Sequence, residues 1–156
     1  MLDVDDFTPV LTHLGRKFKR SSPRSVGGVL YPTHGLRINN KVKHLCEVER
    51  IIIVCLEGDD VANVMLGISY PTVPVKTLKP YFGWAHLYEN MVLLNATALR
   101  RVKPCLLNYV CLHEIEHIRY VDEDEDATDR RTRALAKRLK LDVGCADYAD
   151  GKVRQD

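Results

Sequence analysis

Residues 105–121 read C-L-L-N-Y-V-C-L-H-E-I-E-H-I-R-Y-V, an almost unbroken apolar run with His113, Glu114, Glu116 and His117 embedded in it. A surface helix carries a polar stripe, so an apolar surface nearly all round predicts a helix buried in the core. Residues four apart on a helix share a face, which lets His113 and His117 offer two imidazoles to one point with Glu114 one step round beside them. Histidines at this spacing can also be surface residues or satisfied core groups, but two histidines and two glutamates in a buried helix each need a partner. A metal ion would satisfy His113, His117 and Glu114 together. The pattern therefore predicts a Zn2+ site with Glu114 as general base and acid at the open coordination position.

Working outward, Met91-Val92-Leu93-Leu94 reads as a short strand that enters the helix through residues 100–104, with Pro104 suited to a first helical turn. Farther upstream, residues 49–57 hold the β-branched run I-I-I-V-C-L, bounded by Gly58-Asp59-Asp60, and residues 61–70 read as a neighbouring strand. Val29-Leu30-Tyr31 and Leu36-Arg37-Ile38, separated by Pro32-Thr33-His34-Gly35, are expected to form a hairpin. Residues 71–80 contain three prolines and predict an extended surface crossing. At the start, Thr8 and Pro9 precede Val10, Leu11, Leu14 and Phe18 at helical spacing, and a basic loop containing Pro23, Gly27 and Gly28 follows.

A catalytic zinc usually has three protein ligands, and two histidines leave one to find. Residues 122–129, D-E-D-E-D-A-T-D, supply carboxylates in plenty. Some of these belong to a solvated turn, with Asp126–Arg130 and Asp129–Arg133 pairs at i, i+4. Asp122 and Glu125 have capping-box spacing, which predicts a helix from there to about residue 141 with Thr128, Leu135 and Leu139 facing inward. A chain that reverses between His117 and this helix could return an early carboxylate to the metal. The residues themselves leave open which of 122–126 it is.

Residues 91–139 resemble the zincin metallopeptidases, and most closely the gluzincins, whose HExxH helix is followed by a helix bearing E-x-x-x-D. Glu125-Asp126-Ala127-Thr128-Asp129 matches that pattern, and the resemblance implies Glu125 as third ligand and Asp129 as a carboxylate orienting a ligand histidine. The approach to the motif is also similar to SprT-like and phage-type small zincins, whose third ligand is a histidine six residues past the second; here that position is Glu123, the alternative third ligand, with Asp124 behind it. Two departures stand out: Tyr120 replaces the glycine that metzincins place after the motif, and Thr128 stands where alanine is common. The implied activity is hydrolysis of peptide bonds, with a peptide or protein as substrate and an edge strand near 64–70 or 84–88 holding it by strand addition. His86, Tyr109, Tyr120 and Tyr148 are the candidates for stabilising the oxyanion, and Cys145 or Asp147 in the tail could block the metal and make the protein latent.

Composition sets the bounds. With 156 residues, 46% of them hydrophobic, the chain suits one domain. No run is long enough to span a membrane and the first residues lack a signal-peptide layout, so a soluble, cytoplasmic protein is expected. Five cysteines without a C-x-x-C pair are expected to be reduced and mostly buried. A net charge of +2 gives little support for nucleic-acid binding, although bases cluster at 16–24 and 130–140.

The sum is a small α+β fold with a twisted, mostly antiparallel sheet. It comprises an N-terminal helix and basic loop over 1–27, a sheet region over 28–99, the HExxH helix over 104–121, a third-ligand helix over 122–141 and a tail over 142–156. The rival reading is a non-catalytic module of the same fold that binds a partner protein or nucleic acid, with a DNA-associated protease between the two.

Overall fold

A computed structural model describes residues 25–58, 82–86 and 90–145. The N-terminal helix, the strand at 61–70, the crossing at 71–80, and Tyr148 and Asp147 of the tail all lie outside the described residues.

The chain enters a sheet through β1 (Ser25–Val26) and β2 (Val29–Leu30), an antiparallel pair with Val26 opposite Val29. Gly27 and Gly28 make the turn, both at positive φ as a two-residue hairpin of this hand requires. Gly28 is also fixed by space, because a Cβ there would lie 2.5 Å from the Cys46 Cβ and 3.1 Å from the Ile51 carbonyl oxygen. The hairpin thus falls earlier than the sequence suggested. Tyr31–Ile38 does not fold back as a second strand; a turn closes from Leu36 N–H to the Thr33 carbonyl, and Leu36 and Ile38 drop into the core.

Helix α1 (Asn40–Glu49) follows, an element beyond those expected from the sequence. Its signals are ordinary: the Asn39 side chain accepts from the Lys41 N–H at 2.8 Å as N-cap, and Val42, Leu45 and Cys46 recur at helical spacing on the inward side. Arg50 ends it in the left-handed region, and the Ile51 N–H closes on the Cys46 carbonyl.

Strand β3 (Ile52–Leu56) lies between β2 and β5 (Met91–Asn95) and is parallel to both, while β4 (Gly83–His86) pairs antiparallel with β5. Among the described residues the order is β1-β2-β3-β5-β4. The sheet is therefore mixed, with a parallel centre, rather than mostly antiparallel. Every residue of β3 and β5 is buried, and this two-sided burial explains why both strands read as continuous apolar runs without alternation.

After β5 a short helix α2 (Ala96–Leu99) leads to α3 (Pro104–Arg119), which starts with Pro104 as expected. Leu106, Leu107 and all of 109–116 are buried, so the near-uniform apolarity of the run does mark a core helix. It packs on β4, β5 and α1. Gly83 lets α3 close on the sheet, since a Cβ there would meet Val110 Cγ1 at 3.1 Å and the Leu93 carbonyl oxygen at 3.2 Å.

Helix α4 (Glu125–Leu139) packs on α3. Its N-cap is Asp124, whose carboxylate accepts from the Ala127 N–H at 2.8 Å, and not Asp122 as the capping-box spacing suggested. Asp124 wins because its side chain reaches the free N–H groups of the first turn, which leaves Glu125 as the first helical residue. Thr128 and Leu135 are buried as predicted, and Leu139 packs against the core's margin.

The cysteines divide. Cys46, Cys55 and Cys111 are free and buried. Burial raises the Cys46 and Cys55 thiols to about 12 and lifts Cys111 well above its ordinary value. Cys105 and Cys145 are joined by a disulfide, contrary to the expectation of thiols throughout. The bond ties the first turn of α3 to the segment that leaves α4. No described helix is long and apolar enough to cross a membrane.

Candidate metal centre

Three side chains converge where α3 and α4 meet. The Glu125 carboxylate places Oε2 at 2.9 Å from His113 Nε2 and Oε1 at 2.9 Å from His117 Nε2. The two imidazole rings stand edge to face with centroids 4.8 Å apart. One ligand atom from each of the three residues can be chosen so that all lie within 4.8 Å of one another, and the group could hold a metal ion.

Ligand atoms at about 2.0–2.1 Å from a tetrahedral zinc stand roughly 3.3 Å apart, a spacing that falls between the 2.9 Å contacts and the 4.8 Å outer limit of the group. The donor set, two imidazoles and a carboxylate, is of the right chemistry. Exposure rises steeply across the group, from 1% at the His113 side chain through 22% at His117 to 52% at Glu125. The centre is anchored in the core and open on the α4 side.

The local fold explains the convergence. His113 and His117 share one face of α3 by their spacing, and a short turn at 120–124 reverses the chain. Because Asp124 takes the capping role, the Glu125 side chain is free to reach back to the histidines. Their hydrogen bonds hold the Glu125 carboxyl well below the usual carboxylate range. For His117, burial pulls the pKa down, but the hydrogen bond it donates to Glu125 and the charges of Glu114 and Glu125 outweigh it, and the net shift is upward.

Glu114 is buried beside this group. Burial raises its carboxyl above the ordinary value of 4.5, and the nearby Glu125 adds to the rise, while His113 and His117 pull the other way. Glu116, two residues on, belongs to a different environment. Its Oε1 accepts from Arg119 Nη1 at 2.8 Å, and Arg119 also approaches Glu49 of α1 at 3.5 Å.

Glu123, Asp129, Tyr109 and Tyr120 have partners of their own around the centre. Glu123 is held by Arg131 through two hydrogen bonds, one of 2.6 Å from Nη2, and the same guanidinium lies 3.7 Å over the Tyr120 ring. Glu123 is thus engaged elsewhere and is not part of the group. Asp129 does pair with Arg133, at 3.0 and 3.1 Å from its Nε. Its link to the centre passes through Tyr109, whose hydroxyl donates to Asp129 Oδ1 at 2.6 Å and lies 3.3 Å from His113 Nδ1. Tyr109 is accordingly occupied in the interior rather than turned toward a substrate, and Tyr120 is covered by Arg131. His86 forms part of β4, opposite Met91. Cys145 offers no free thiolate to the metal, being bonded to Cys105.

No known protein family, curated protein or solved structure matches the chain.

Proposed function

We propose that the chain is a zinc-dependent metallopeptidase in which His113, His117 and Glu125 hold the metal and Glu114 moves the proton. The observation that carries this reading is the Glu125 carboxylate set at 2.9 Å from the Nε2 atoms of both histidines, with Glu114 buried alongside. Zinc, when bound, supplies Lewis acidity toward a carbonyl and makes water acidic enough to lose a proton near neutral pH. Glu114 is suited to accept that proton and to deliver it to the leaving amine, since a carboxyl raised by burial sits closer to the working pH than an exposed one. It also lies on the same helix as both histidines, directly after His113.

Strand β4 gives the reading a place for substrate. Among the described residues it ends the sheet beside β5 and packs directly on α3, which suits it to hold an extended peptide by strand addition. The resemblance to gluzincins supports the same arrangement. A non-catalytic metal module has no need of a carboxylate in the position of Glu114.

The test is cleavage of an unstructured protein such as casein by the zinc-loaded chain. Hydrolysis that a chelator stops and added zinc restores is expected. A fully loaded chain that cleaves neither casein nor a library of extended peptides would point to the binding module instead.

A further inference from the structure

The helix pair that forms the centre continues past it in register. On α3, Tyr109, His113 and His117 stand at successive steps of four, and on α4 so do Glu125, Asp129 and Arg133. Residues at that spacing share a helix face, so the packing that delivers Glu125 to the histidines also delivers Asp129 to Tyr109, while the spacing within α4 sets Arg133 beside Asp129.

The contacts form a chain with a direction. Arg133 Nε donates to both oxygens of Asp129. Asp129 Oδ1 accepts the Tyr109 hydroxyl proton at 2.6 Å, a short, charge-assisted bond. With its proton committed there, the Tyr109 oxygen can only accept from His113 Nδ1, 3.3 Å away. The two rings are stacked, 25° from parallel with centroids 5.4 Å apart, and Tyr109 is buried.

From this geometry we infer that Tyr109 is a positioning residue for the metal centre: it holds the proton of His113 on Nδ1 and fixes the plane of the ring, so that the Nε2 lone pair is presented to the ion when a metal takes the place of the hydrogen Nε2 donates to Glu125. Asp129 and Arg133 act through Tyr109, by holding its hydroxyl in the donating orientation. The carboxylate that the sequence pattern places next to a ligand histidine is here one residue removed, with a tyrosine interposed. The inference rests on the metal-binding reading above.

The test compares wild type with Tyr109→Phe, which keeps the ring and removes the hydroxyl. Zinc dissociation constants are measured by competition with a chromophoric chelator, and visible absorption is recorded after loading with cobalt(II). The expected result is a zinc dissociation constant raised about 10–100-fold in the variant, as is typical when a partner of a ligand histidine is lost, together with altered cobalt bands. A residue that merely supported the fold would leave the bands of the loaded protein unchanged. Should Tyr109→Phe fail to fold, Asp129→Asn keeps the tyrosine and weakens its acceptor, and a smaller loss in the same direction is expected. Wild-type affinity and an unaltered cobalt spectrum in the variants, beside a wild type that binds zinc, would overturn the role of Tyr109 and leave the centre standing. A wild type that binds neither ion would remove the centre and the inference with it.

Discussion

Two glutamates on one helix, Glu114 and Glu116, are both buried, and burial raises the carboxyl of each above its ordinary value. What surrounds them differs. Glu116 faces permanent cations: Arg119 hydrogen-bonds it at 2.8 Å, and Arg119, Arg131 and Arg138 all act to lower its pKa. Glu114 faces two histidines, whose charge depends on protonation and on whether they bind a metal. A carboxylate locked to a guanidinium ties elements together; one beside imidazoles is left able to gain and lose a proton. In the proposed reading Glu116 ties elements together, and Glu114, two residues away, is the carboxylate assigned to proton transfer.

The comparison breaks most sharply at Glu114. In Glu114→Gln the shape is kept and the proton acceptor is gone, so cleavage of casein by the zinc-loaded protein should fall by about 10²–10⁴-fold. Zinc per chain should be unchanged. Loss of zinc in this variant would move Glu114 from proton carrier to ligand.

On the other side of the helix the effect should appear in stability. Arg119→Ala removes the partner of a buried carboxylate and should cost about 3 kcal/mol, read from urea unfolding of the metal-free protein. Glu116→Gln removes the charge along with the need for the partner and should cost less. Equal losses in the two variants would mean that the pair does not behave as a coupled unit.

A finer contrast concerns the thiols packed around the same core. Cys46 and Cys55, with pKa values raised to about 12, hold a thiolate fraction of about 10⁻⁴ at pH 8. Iodoacetamide should leave both unmodified in the folded protein at that pH and alkylate both in urea. The sign for stability follows: above pH 9 the unfolded thiols ionise while the folded ones stay protonated, so stability should fall as pH rises from 9 toward 12. Rapid native-state labelling of either cysteine would contradict its burial.

The centre was legible in the sequence to the extent that it depends on helical spacing. His113, Glu114 and His117 follow from a period of 3.6 in an apolar run, and Glu125 and Asp129 from the pattern of a known family. Tyr109 was on view, four residues before His113, but nothing local says that a tyrosine hydroxyl will lie between a histidine on one helix and an aspartate on the next. That is set by how α3 and α4 pack. The sheet was misread for a related reason. Strands buried on both faces lose the alternation that marks their direction, and the assumption that successive strands pair as hairpins placed Leu36–Ile38 in a strand and overlooked the Gly27-Gly28 turn. The link between Cys105 and Cys145 depends on the chain returning across 40 positions of sequence after α4, which spacing cannot disclose.

The most direct measurement is zinc per chain by elemental analysis, on wild type, Glu125→Ala and Glu123→Ala prepared side by side. With Glu125 bridging the histidines and Glu123 held by Arg131, one zinc is expected in wild type and in Glu123→Ala, and much less in Glu125→Ala. A wild type that stays empty when zinc is offered and the excess removed, or a loss confined to Glu123→Ala, would contradict the centre described here.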